Sequence, residues 1–229
     1  MPRSWGRMLL LIAAAAGFWL VVVAAALLAR RLGLPKLEGM VLAEAVITVY
    51  AVAVALAAGG FRALGLSGGW KAADVGAVIG LFALSVVGSV VTTRVGSSLG
   101  LTADNAAVPE LLKMARSYSA GSYFLLTTLV ALLAGISEEL FFRGYLITRL
   151  EALKVPGWAC VLLTGFAFGF AHFSGQGLLT ALGFALFMGV PAGCYFWKRR
   201  SLWPLIAYHT LRDVFGFATV LLAAKSGMM

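Results

Sequence analysis

Long apolar runs separated by short polar ones make up most of this chain. Seven stretches are each 17 residues or longer and end at Gly, Pro, Ser or basic residues: approximately Met8–Ala29, Met40–Ala58, Asp74–Val91, Tyr123–Leu150, Gly157–Phe173, Leu178–Trp197 and Leu202–Ala224. About 20 residues at a rise of ~1.5 Å cross a hydrocarbon core of ~30 Å, so these runs have the length of membrane helices. The pattern predicts an all-α fold, a polytopic transmembrane helical bundle of about seven or eight membrane helices with a polar site inside. It is expected to form one integral membrane unit. Residues 1–122 supply N-terminal membrane helices and a polar connecting loop, and residues 123–224 supply the helical core.

The first run is flanked by Arg3 and Arg7 before it and Arg30 and Arg31 after it. Such flanks suit a secretory signal, but the apolar stretch exceeds the ~7–15 residues of a signal core, so it reads as a retained helix. The one long polar connection spans residues 92–121 and carries Arg94, Asp104, Asn105, Glu110, Lys113 and Arg116. Its segment Pro109–Arg116 predicts a short interfacial helix, fit either for a lid over a substrate or for a plain connector.

Composition agrees with the periodicity and excludes a soluble globule: 62% of residues are hydrophobic and 12% charged, and mean hydropathy is +0.97. The net charge of +9 arises from basic residues in the connections. No basic–aromatic stripe accompanies them, so they point to topology and anionic lipid rather than nucleic acid. Nine Lys and Arg residues fall on the N-terminal side of the seven runs and seven on the other, which favours a cytoplasmic N-terminus. Cys160 and Cys194 lie in apolar runs without a second-ligand spacing and read as small buried hydrophobes.

Against this background, charge inside a membrane run needs a reason. Residues 137–143 read Ser-Glu-Glu-Leu-Phe-Phe-Arg within the fourth run. Each ionised group near a bilayer centre costs about 2.5–3.5 kcal/mol by insertion scales, so adjacent carboxylates persist only with partners or in a wet cavity. Glu139 and Arg143 stand at i,i+4 and can pair, and a structural ion pair is the plain alternative to a functional site.

The chain has two histidines, His172 and His209, and both lie within membrane runs. His209 is followed at i+4 by Asp213, on the same helix face. A buried structural hydrogen bond is the ordinary reading of each histidine alone. Joint placement changes that reading. Glu138 lies seventeen residues before Val155 and His172 seventeen after it. In two straight helices joined there, both side chains sit roughly 25 Å from the turn. His209, about 12 Å inside its own run, reaches a similar level. Three helices are thus expected to converge on one buried polar site. Gly165, Gly169, Gly183, Gly189 and Gly193 are expected to line close helix contacts, Gly175-Gln176-Gly177 to form a tight turn, and Phe168, Phe170 and Phe173 to wall the site.

Glu-Glu-x-x-x-Arg at 138–143, Phe-x-x-x-His at 168–172 and His-x-x-x-Asp at 209–213 occur in this order on successive late runs. Together they resemble the CPBP family of intramembrane proteases, which includes the Ras-converting CAAX prenyl endopeptidase and bacterial bacteriocin-processing and immunity proteins. The resemblance covers about Tyr123 to Val220. It implies an intramembrane endopeptidase that hydrolyses a peptide bond in a membrane-associated protein or peptide by glutamate-activated water. Glu138 would then be the general base, His172 would help hold the water, Glu139 and Arg143 would pair and shape the site, and His209 with Asp213 would stabilise the oxyanion. The CAAX endopeptidase has Asn where this chain has Asp213. A carboxylate cannot donate to an oxyanion, so Asp213 either carries a proton or orients His209 as a cation, and the second role is preferred.

No cofactor is expected. Zinc, held by Glu138, His172 and His209, is the alternative, although no His-Glu-x-x-His helix is present. The chain shows no intramembrane Asp pair, which disfavours an aspartyl protease. Two other function classes fit parts of the pattern: a catalytically silent immunity or partner-binding member of the same fold, and a transporter, for which no inverted repeat is visible. The Ala-, Gly- and Val-rich composition suggests a bacterial inner membrane and a membrane-anchored protein or peptide as partner.

Overall fold

The computed structural model describes residues 3–100 and 107–226, so Asp104 and Asn105 of the polar connection lie outside the described residues. Every element among the described residues is helical. In chain order they are α1 (Arg3–Arg31), α2 (Lys36–Ala57), α3 (Ala72–Ser98), α4 (Ala107–Ser117) and α5 (Ala120–Glu138), then a π-helical segment (Glu139–Ile147) and α6 (Thr148–Ala152), which continue α5. After these come α7 (Gly157–Ala171), α8 (Phe173–Phe184), a second π-helical segment (Ala185–Gly189), α9 (Val190–Arg199) and α10 (Trp203–Ser226).

Among the described residues six helices are long and apolar enough to cross a membrane: Trp5–Arg31, Lys36–Ala57, Ala72–Ser98, Ala120–Ala152, Gln176–Arg199 and Trp203–Ser226. Gly157–Ala171 is apolar but shorter. The protein is therefore an integral membrane protein, and its bilayer faces carry large exposed apolar side chains such as Leu10, Leu20, Val49, Ile79 and Leu222. Six of the seven expected runs are full-length helices, and the seventh, α7, stops at His172. In place of the plain connection expected after Val91, α3 continues to Ser98.

Helix ends follow ordinary chemistry. Pro35 precedes α2 and Pro156 precedes α7, where a missing N–H costs nothing. Ser119 caps α5 by accepting from the Ser122 N–H at 3.1 Å. The Lys71 N–H donates to Asp74 Oδ2 at 2.8 Å at the start of α3. At the opposite end of the membrane, α4 is the expected short helix, amphipathic, with Met114 and Ala115 buried and Glu110 and Lys113 exposed. Lys36 pairs with Glu110, and the ammonium holds that carboxyl below its usual value. Tyr118 donates to Glu38, and burial together with the Glu38 charge pushes its phenol up.

The centre of the bundle is α5, which packs against α2 on one side and α10 on the other. The helix α7 folds back on α8, the second π segment and α9. This second contact is made by glycines. A Cβ on Gly189 would lie 2.4 Å from the Gly165 carbonyl oxygen, and one on Gly169 would lie 2.3 Å from that of Ala181. Only hydrogen fits there, so backbones approach to a distance that larger residues forbid. Gly183 meets Thr92 of α3, and Gly193 meets Val161 of α7. The expected turn at 175–177 is a local break inside α8, with Gly177 at φ 79°, ψ 167°.

Candidate active site

The site is built where α5 passes into its π segment. Glu138 is the last residue of the α-helical part and Glu139 the first of the wider part. π-Helical segments occur disproportionately at functional sites because they expose or re-aim side chains at a small cost in backbone bonding. Here the segment turns both Glu139 and Arg143 into the protein, where their side chains are 0% and 1% exposed.

Arg143 Nη1 donates to Glu139 Oε1 at 2.7 Å. The same carboxylate oxygen accepts from His209 Nδ1 on α10 at 2.8 Å. Arg143 Nη2 reaches the Gly189 carbonyl of the second π segment at 3.4 Å, and its guanidinium carbon lies 4.3 Å from the centre of the Phe168 ring. Glu139 and Arg143 thus tie α5, α7, α10 and the second π segment together through one buried pair.

With Nδ1 directed at Glu139, a carboxylate that can only accept, Nδ1 of His209 is assigned the proton, and Nε2 faces the other way. There it lies 3.6 Å from Asp213 Oδ2 and 3.9 Å from Glu138 Oε2. Glu138 and Asp213 are the more open members, 17% and 31% exposed. Among the described residues nothing donates to Glu138 Oε2, which is buried, so this oxygen retains acceptor capacity.

His172 stands at the break between α7 and α8, where it ends the first helix and begins the second. Its Nδ1 contacts the Phe168 carbonyl at 3.0 Å. A carbonyl only accepts, so Nδ1 carries the hydrogen and Nε2 presents a lone pair. The ring packs on Phe168 at 5.2 Å and edge-on to Phe184 at 4.9 Å. Phe168 also contacts the His209 ring at 5.7 Å, so one buried phenylalanine separates and orients both histidines and the arginine. Of the three aromatics expected to wall the site, Phe168 is internal, whereas Phe170 and Phe173 are 46% and 50% exposed and face outward.

All six residues singled out from the sequence, Glu138, Glu139, Arg143, His172, His209 and Asp213, therefore lie on helices that meet around Phe168 and His209. The sequence reading passed over two further charges. Glu44 of α2 interacts electrostatically with Glu138, Asp213 and His209, and its buried Oε2 has no hydrogen-bond partner among the described residues. Arg212, one residue before Asp213, donates to Ser89 of α3 at 2.7 Å and joins α10 to α3. The signal for both was available: each is a charge within an apolar run, the criterion that drew attention to Glu138. Among the described residues no group of three His, Cys, Asp or Glu side chains converges in a way that could hold a metal ion.

Residues 120–215 match the family model of the type II CAAX prenyl endopeptidase, Rce1-like. No curated protein and no solved structure matches the chain. The matched stretch covers under half of the chain and includes all six residues above. The CPBP resemblance read from three short motifs is therefore shown across this stretch, and the family is one of membrane proteases.

Proposed function

We propose that this protein is an intramembrane endopeptidase that cleaves a membrane-associated protein or peptide with a water activated by Glu138. The observation that carries the reading is the approach of Glu138 and Asp213 to His209 Nε2, at 3.9 Å and 3.6 Å, backed by the buried Glu139–Arg143 pair, inside the family-matched stretch. Glu138 takes a proton from water, with the Nε2 lone pair of His172 holding the same water. The resulting hydroxide adds to the scissile carbonyl carbon. The oxyanion is met by His209, whose donation from Nε2 requires the doubly protonated ring, because Nδ1–H is committed to Glu139. Collapse of the tetrahedral species breaks the C–N bond, and the proton on Glu138 passes to the departing amine.

Asp213, 3.6 Å from His209 Nε2, orients that ring in this reading, since a carboxylate cannot donate to the oxyanion. Glu139 and Arg143 act through His209 and are positioning residues. A metal-free route is the preferred mechanism, and a bacterial inner membrane the preferred location. The test is cleavage of a quenched fluorescent peptide library by purified protein in detergent, comparing wild type with Glu138→Ala and His172→Ala, with and without chelator. Loss by about 10²–10⁴-fold in both variants with full activity in chelator is expected. Loss on chelation would replace this mechanism with a zinc-dependent one. An inactive wild type, under conditions in which a related endopeptidase cuts, would favour a partner-binding role.

A further inference from the structure

A groove of about 720 Å³ opens at the end of the bundle where α1 begins and α2 and α6 finish. It is separate from the candidate active site, and its two ends differ in chemistry. Toward the bilayer interior the walls are Leu10, Ala13 and Ala14 of α1 facing Val54 and Ala57 of α2. Arg7 to Ala14 spans about 10 Å of helix, so this apolar channel is long enough for several methylenes. Its floor is fixed by Tyr50, whose hydroxyl donates to the Ala14 carbonyl at 2.7 Å, close against Gly17, where a Cβ would lie 2.4 Å from that hydroxyl.

The mouth is cationic. Arg7 and Arg149 both line it, and no acidic residue does. Neither arginine is within ion-pair distance of a carboxylate among the described residues. Arg149 is already held in place: Nη2 donates to the Ala58 carbonyl at the end of α2 at 2.7 Å, and its guanidinium carbon lies 5.6 Å from the Tyr145 ring centre. It also hydrogen-bonds the Tyr145 side chain, and of the five N–H groups of a guanidinium these two contacts leave others to meet phosphate oxygens from a pre-positioned fork. Two guanidiniums above an apolar channel, at the basic end of a membrane protein, are complementary to one kind of occupant: a phosphate carrying a hydrocarbon chain.

We propose that this groove is a binding site for an anionic glycerophospholipid, with the phosphate between Arg7 and Arg149 and one acyl chain along Leu10, Ala14 and Val54. The proposal does not depend on peptidase activity. It has a structural consequence, because the groove residue Tyr145 stacks on Phe141 at 5.9 Å and Phe141 on Phe18 at 4.2 Å. The occupant thus packs against the π segment that carries Glu139 and Arg143.

The test is native mass spectrometry of the full chain, delipidated in detergent and titrated with phosphatidylglycerol or phosphatidylcholine, with thermal unfolding followed in parallel. One phosphatidylglycerol is expected to be retained in preference to phosphatidylcholine. Retention should fall roughly five-fold in Arg7→Gln and about 30-fold in Arg7→Gln with Arg149→Gln, and excess inorganic phosphate should not displace the lipid. Arg94→Gln, an exposed arginine of α3, should leave retention unchanged. Equal retention of the two lipids, or unchanged retention in the double variant, overturns the proposal. If the double variant does not fold, the single Arg7→Gln decides, since its exposed side chain makes no hydrogen bond among the described residues.

Discussion

The first and fourth membrane helices are both long and apolar enough to cross a membrane and have opposite surroundings. Half of the most apolar window of Ala120–Ala152 is buried inside the protein, against 11% for Trp5–Arg31. The central helix carries charges at Glu138, Glu139 and Arg143 along its length and at Arg149 and Glu151 near its end. The peripheral one carries none between Arg7 and Arg30 and presents Leu9, Leu10, Leu20 and Val23 to lipid. Charge is tolerated in this bundle where protein encloses it, because there Glu139 can satisfy Arg143 and His209 together. The peripheral helix is shaped by lipid contact and by the groove at its basic end.

Breaking that contrast at its centre should have the largest effect. Arg143→Ala removes one partner of a fully buried pair and is expected to cost about 3–5 kcal/mol of stability along with peptidase activity, read by thermal unfolding and peptide cleavage. Leu20→Ala, on the lipid face of α1 at 70% exposure, should change neither by a measurable amount. A mild effect of Arg143→Ala would mean that the Glu139 carboxylate finds another partner. Next in size, Gly189→Ala forces a methyl group against the Gly165 carbonyl and should destabilise the α7 contact by about 1–3 kcal/mol.

Glu44→Gln sharpens the comparison from the N-terminal side. Because Glu44 interacts electrostatically with Glu138 and Asp213 and its inner oxygen is unpartnered among the described residues, neutralising it should leave stability equal or higher while altering the rate of cleavage. A clear drop in melting temperature would show that Glu44 has a structural partner. The smallest effect belongs to the exposed Lys36–Glu110 pair. The folded carboxyl of Glu110 titrates below its ordinary value of 4.5, so the contribution of the pair is present above that pH and fades as acid protonates Glu110 in the folded protein. Glu110→Gln should therefore lower stability slightly at neutral pH and match wild type in acid, where Glu110 is protonated, read as thermal unfolding across pH.

Much of the architecture was legible without coordinates, since a helix that crosses lipid must satisfy its backbone internally and display apolar side chains along its whole length. That constraint fixes the runs of α1, α2, α3 and α10, and it makes Glu138, Glu139, Arg143, His172, His209 and Asp213 conspicuous. It gives no indication of which atoms meet. The joint hydrogen bonding of Glu139 to Arg143 and His209, the stop of α7 at His172, the two π segments and the inward turn of Phe168 but not Phe170 all depend on which helices pack together. Local pattern does not encode them, because an apolar residue toward lipid and one toward a neighbouring helix look alike in sequence. Glu44 belongs to the site only because α2 packs on α5. The sequence by itself therefore determined the class, most of the spans and which charged side chains stand apart from the apolar runs; the tertiary structure decided their partners and exposure, because those come from contacts between helices distant in the chain.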